Sequence, residues 1–132
     1  MLKIKTYLDR SQVHGIGLFA GEPIRANQEV WSFDAMVDLV FDLEYWRSMA
    51  QSLAPASFNQ VRQLAYKEDN VVYMCLDNAQ FMNHGGREAN VANRKAGNTM
   101  VALCDIPVGR ELLCNYFEFC DADDWSLAWL RK

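Results

Sequence analysis

Histidine is nearly missing from this chain. His14 and His84 are the only two in 132 residues. Two distant histidines with no carboxylate pattern beside them make a poor metal hydrolase. Paired cysteines are missing as well. Cys75, Cys104, Cys114 and Cys120 form no C-x-x-C pair and fit no common zinc spacing. Each has apolar neighbours, so they read as reduced core thiols of an intracellular protein. An excess of positive charge is absent. Thirteen Lys and Arg stand against 17 Asp and Glu, for a net charge of −4 and a pI near 5.1. That excludes a general phosphate-binding role and argues against direct nucleic-acid binding. No apolar run approaches the roughly 18 residues of a membrane span. The start, "MLKIKTYLDRS", alternates like a strand and has no apolar stretch of a secretory leader. The expected location is therefore the cytoplasm, or the nucleus in a eukaryote. Internal repeats and low-complexity tracts are also absent.

What is present fits one domain over residues 1–132, with 51% hydrophobic and 23% charged residues. "LKIKTYL" (2–8) reads as an edge strand with alternating lysines, and His14-Gly15-Ile16-Gly17 as a turn before a second strand. Residues 42–66 change rhythm. Leu43, Trp46, Met49 and Leu53 recur at helical spacing, Asp42 is a candidate N-cap, and Pro55 divides the stretch into two helices. A strand run follows at 70–78, and two more at 99–104 and 111–116, joined through "DIPVG". The end, "DADDWSLAWLRK", has acidic caps and spaced Trp125, Leu127, Trp129 and Leu130, which predict a short helix with a basic last turn. Many short strands with one helical insert give a mainly β fold rather than alternating βαβ units. The lone Gly15-Ile16-Gly17 therefore lacks the context of a dinucleotide-binding turn.

Three elements occur in one order: "HGIGLFA" with "IRANQEV" close behind, then "YMCLDNAQFMNHGGREANV", then "DIPVGRELLCNYFEF". This arrangement resembles the SET-domain protein-lysine methyltransferases. That family carries a G-x-G turn, an Asn-His run with a later Asn, and a Glu-Leu run ending in Tyr. The resemblance covers nearly the whole chain, with 34–68 as a variable insert. It implies a β-clip-like fold of several small sheets with a threaded pseudoknot loop, the helical insert and the C-terminal helix. Residues 117–132 would be a short extension without the zinc cluster that many relatives carry, because only Cys120 remains there.

The resemblance also implies a cofactor and a reaction. S-adenosylmethionine would donate a methyl group to the deprotonated ε-amine of a target lysine, reached through a narrow channel. His14, Gly15, Ile16 and Gly17 would lie along the donor. Asn83 would bond its amino-acid part, the His84 backbone would meet the adenine edge, and Asn90 would fix the threaded loop. Tyr116 would be the catalytic group, with Cys114 and Phe117 in the substrate channel. Phe119 and Trp125 would cover the adenine, since a flat ring can stack on it. The small thiol of Cys114, where relatives carry Phe or Tyr, predicts transfer beyond one methyl. A protein or peptide bearing lysine is the expected partner, and a homodimer whose second copy completes the channel is a further one. No metal is implied.

The motifs depart from the family pattern in places. Gly85-Gly86 follows His84 where Ser-Cys is usual, and Asn115 precedes Tyr116 where an acid is usual. The glycines fit either a close approach of backbone to a ligand or a relaxed loop. In the second case the chain would be a catalytically degenerate module that binds a protein or peptide on the same fold.

Overall fold

The computed structural model describes residues 1–94, 98–128 and 130. Among the described residues, ten short strands form four small sheets, with two helices and several 3-10 turns beside them. β1 (Thr6–Arg10) and β2 (Ile16–Ala20) form an antiparallel hairpin across the glycine turn. The N-terminal strand starts later than the lysine alternation suggested. Leu2 makes only an isolated bridge to Trp31. β3 (Glu29–Ser32), β8 (Val91–Arg94) and β9 (Thr99–Ala102) form a second sheet with β9 in the middle.

The insert forms the two expected helices and adds short strands on either side of them. β4 (Leu39–Asp42) and β5 (Ala65–Glu68) bracket its helices, and both pair with β6 (Val71–Met74). The β5–β6 turn is Asp69-Asn70, both in the left-handed region at φ 51° and 61°. Asp and Asn tolerate that region and are the residues a two-residue hairpin turn selects. α1 (Leu43–Ser52) begins where Asp42 accepts from the Tyr45 N–H at 2.7 Å. α2 (Pro55–Gln63) has its proline in the first turn, where the missing N–H costs no bond.

The fourth sheet holds only β7 (Asn83–His84) and β10 (Leu113–Cys114), paired in parallel. Around it the chain crosses itself. Gly85 donates to the Cys114 carbonyl (2.9 Å), and Asn90 donates through its backbone to the Leu113 carbonyl (2.9 Å). The loop 83–90 thus wraps the strand before Tyr116, which is the threaded arrangement. Gly85 stands where any Cβ would lie 2.7 Å from the Leu113 Cβ. Gly86 adopts φ +52°, which glycine adopts freely. The close approach that Gly85 permits is to the chain's own strand at Leu113 and to the Ala89 backbone, so the loop is tightly packed.

The main core gathers Leu18, Val30, Trp31, Val91, Ile106 and Leu112 from two of the sheets and their connections. A second cluster of Trp46, Ala65 and Val72 holds the insert, with Phe58 and Trp125 against it. Three cysteines pack in or against the main core, but Cys104 is exposed, because it sits in the turn after β9 beside the exposed Leu103. At the C-terminal end, Trp125–Leu127 form a short 3-10 turn capped by Asp124. Trp129 and the basic Arg131 and Lys132 lie outside the described residues. Among the described residues no helix is long and apolar enough to cross a membrane.

Candidate active site

Two cavities meet beside the crossing. The larger, an open cleft of about 460 Å³, is lined by His14, Gly15, Ile16, Asn83, Tyr116 and Trp125, together with Arg62 and Gln80. The smaller, about 90 Å³, is mostly apolar and is walled by Trp31, Tyr66, Met82, Met100, Cys114 and Phe119 among others. Gln63, Leu64, Gln80, Tyr116 and Ser126 border both. Tyr116 is therefore at the junction.

Its placement follows from the turn that carries it. The sequence suggested a strand to 116, but β10 ends at Cys114 and Tyr116–Glu118 form a 3-10 turn. The Asn115 side chain accepts from the Phe117 N–H at 3.2 Å and turns the chain off the strand. An amide oxygen caps this turn as a carboxylate would, so the change to Asn leaves the local geometry in place. The Tyr116 hydroxyl donates to the Met82 carbonyl at 3.0 Å, and its N–H donates to His84 Nδ1 at 3.1 Å. Burial pushes the phenol well above its ordinary value, so it stays neutral at physiological pH.

His84 faces inward to this support, not into the cleft. Its ring meets Tyr116 edge-on at 5.3 Å and Phe117 at 5.4 Å. Partial burial lowers the pKa of the imidazole, which matches its role as acceptor at Nδ1. Phe117, expected in the channel, is half exposed and lines neither cavity. Phe119, expected over the adenine, lines the small cavity instead. The 3-10 turn swings it inward, against Tyr66 at 5.1 Å and Tyr116 at 5.9 Å. Trp125 does reach the cleft. It stacks on Trp46 at 5.3 Å and donates from Nε1 to the Arg62 carbonyl at 2.8 Å, which ties the C-terminal turn to the end of α2.

The glycine turn forms the opposite wall. Gly15 has φ +54°, and a Cβ added there would meet nothing within 4 Å, so bare backbone faces open space. The Asn83 amide nitrogen donates to the carbonyls of His14 (3.0 Å) and Ile16 (3.1 Å) and to Glu111 Oε1 (3.0 Å). Gly17 is behind this wall rather than on it. Its missing side chain makes room for the Glu111 carboxyl. Asn90 holds the threaded strand by donating to the Glu111 carbonyl (2.8 Å) and accepting from the Leu113 N–H (2.9 Å). Cys114 is buried at the small cavity, its sulfur 3.9 Å from the Met82 and Asn83 carbonyls. Burial pushes Cys75 and Cys120 up to about 12 and Cys114 higher still, so all three remain thiols.

The structure thus gathers His14, Gly15, Ile16, Asn83, Tyr116 and Trp125 in one cleft. Sequence reasoning missed Glu111, Tyr66, Gln63 and Gln80. Tyr66 had a signal, because the Asp-Asn turn sets it directly opposite Tyr73 in the hairpin. Glu111 had one in its place in the Glu-Leu run before Tyr116. Gln63 and Gln80 had none. Among the described residues no cluster of three or more His, Cys, Asp or Glu could hold a metal ion.

Comparison with known proteins gives the lineage. The family model of the SET domain matches residues 15–117. No curated protein matches in sequence. Among solved structures, the chain is similar to the Neurospora SET domain protein DIM-5, a histone lysine methyltransferase. Identity is 16%, the TM-score is 0.59, and the match covers 87% of this chain and 53% of that one. It is similar to Polycomb Repressive Complex 2 of Chaetomium thermophilum bound to S-adenosylmethionine, at 20% identity and TM-score 0.64, over 89% of this chain but 16% of that one. It is also similar to a Plasmodium falciparum protein whose assignment as a histone methyltransferase is provisional, at 18% identity and TM-score 0.58, over 87% and 95% of the two chains. These identities speak for the fold, and the family match spans most of the chain: the protein belongs to the SET-domain family.

Proposed function

We propose that the protein is an S-adenosylmethionine-dependent protein-lysine N-methyltransferase. The donor occupies the cleft, and the target lysine enters through the small cavity. The observation that carries this reading is Tyr116 at the junction of a cleft of small-molecule size and a narrow apolar cavity. The residues present suit the donor. Gly15 opens bare backbone to the cleft, Asn83 supplies an amide, and Trp125 supplies a flat ring. When bound, S-adenosylmethionine supplies an electrophilic methyl group on a sulfonium.

The chain's own residues do the rest. A lysine in water has a pKa near 10.4, so only about one amine in a few thousand is neutral at pH 7. The lining of the small cavity, with its thiols uncharged and no carboxylate among its described residues, penalises an ammonium and favours the free amine. Tyr116, anchored through its hydroxyl hydrogen to Met82, keeps an oxygen lone pair to orient an amine N–H. The gain comes from positioning rather than from proton transfer. The small Cys114 leaves room for an amine that already carries a methyl, which supports transfer beyond the first.

The test uses labelled S-adenosylmethionine with a lysine-rich peptide library and a cell lysate. Wild type labels protein. Tyr116→Phe binds the donor equally in calorimetry but transfers methyl on the order of 100-fold more slowly. Equal rates in the two proteins would remove Tyr116 from catalysis. Absence of donor binding by wild type would leave the alternative, a binding module on the same fold. A product mass stopping at one methyl would remove the multiplicity claim.

A further inference from the structure

Glu111 is a buried carboxylate with a place in the fold that the chemistry above does not use. Its Oε1 accepts from Asn83 Nδ2 at 3.0 Å, and its own carbonyl accepts from Asn90 Nδ2 at 2.8 Å. Its carboxyl fills the space a Gly17 side chain would need, and Glu111 bridges Phe19 on β2. One residue thereby touches three walls of the cleft: the glycine turn, the Asn83 strand and the strand leading to Tyr116.

Consider what this does to Asn83. Its amide nitrogen faces three oxygens, those of His14, Ile16 and Glu111. An amide turned over would set its own oxygen against all three, one of them on a carboxylate, so the orientation is fixed. Asn83 lines the cleft, and the group it has left for a ligand is its oxygen, a hydrogen-bond acceptor. We infer that Glu111 is a positioning residue that locks Asn83 as an acceptor for the ammonium of the donor's amino-acid end. The inference rests on the proposed donor cleft.

The experiment measures calorimetric affinity for two probes. S-adenosylhomocysteine has the amino-acid end, and 5′-methylthioadenosine lacks it. Glu111→Ala weakens S-adenosylhomocysteine by at least about fivefold, from the loss of one charge-assisted bond. It leaves 5′-methylthioadenosine within about twofold of wild type. Glu111→Gln keeps an acceptor oxygen and restores S-adenosylhomocysteine to within about threefold of wild type. Gly17→Ala displaces the carboxyl without removing it and reproduces the selective loss, which serves if Glu111→Ala does not fold. Equal weakening of both probes, or unchanged affinity for both in folded variants, overturns the inference and makes Glu111 structural only. A wild type that binds neither probe overturns the donor cleft itself, and this role falls with it.

Discussion

Two regions hold the walls of the cleft, and they are built from different forces. The crossing at 83–90 and 111–116 is held by buried amides and backbone bonds, nearly all between neutral groups. The clasp between the insert and the C-terminal turn is held by stacked rings and charge. There, Lys67 Nζ bonds both oxygens of Asp123 at 2.7 Å and lies 3.5 Å from Asp121. Asp121 in turn accepts from the N–H groups of Asp69 and Asn70 at the hairpin turn, and the Asp124 carboxylate accepts from the Lys67 N–H. Aspartates and the Trp46–Trp125 stack hold this side, so the clasp should be the more salt-sensitive of the two regions.

The largest effect should come from breaking the crossing. Asn90→Ala leaves the Glu111 carbonyl and the Leu113 N–H buried without their partner. Each such group costs about 1–3 kcal/mol, so urea unfolding should show a loss of about 2–6 kcal/mol. A loss below that of the clasp variants would reverse the ranking of the two regions.

Trp125→Ala comes next. It removes the stack on Trp46 and the bond to the Arg62 carbonyl. The expected loss is about 1–3 kcal/mol, with weaker donor affinity in the same protein. A Trp46→Ala, Trp125→Ala pair should be clearly non-additive, because the two rings are one contact.

Acid should act on the crossing through His84. His84 is held below its ordinary 6.5 by desolvation, and its Nδ1 must stay unprotonated to accept from Tyr116. The unfolded chain then binds the proton more readily. The contribution of His84 is complete above pH 6.5 and declines as pH falls from there toward the folded value. A proton titration of the ring by NMR, read beside thermal unfolding, checks this. A ring that titrates above 6.5 would contradict it.

The smallest effect belongs to the exposed Asp123. Its partner Lys67 lowers its pKa, and Asp123 raises that of Lys67. The carboxylate side of the pair is lost as pH falls through the depressed Asp123 value, and the ammonium side as pH rises through the raised Lys67 value. Hydrogen exchange near the C-terminal turn should therefore quicken at both extremes in wild type. Asp123→Asn should flatten that dependence, and salt should weaken the wild-type clasp alone.

The elements that were legible in the chain are those whose cause is local. Asp42 capping α1, Pro55 opening α2 and the glycine turn at 15–17 are decided by residues within one turn of each other. The order of the glycine turn, Asn83-His84 and Tyr116 was legible as a pattern. The strands of the insert were not, because the helical rhythm of 42–66 masks the short runs that bracket it. Nor was the turn at Tyr116, where one capping amide overrides a strand-like sequence.

By itself the sequence determined which groups were available: a flexible glycine turn, the asparagines at 83 and 90, and a single phenol after Cys114. Only the tertiary structure decided who meets whom. Asn83 reaches partners 69, 67 and 28 positions away. Phe119 turns to the small cavity while Trp125 turns to the cleft. Such pairings depend on which segments cross and at what spacing. They are fixed by contacts between segments far apart in sequence, such as Gly85 against Leu113, which no local run of residues specifies.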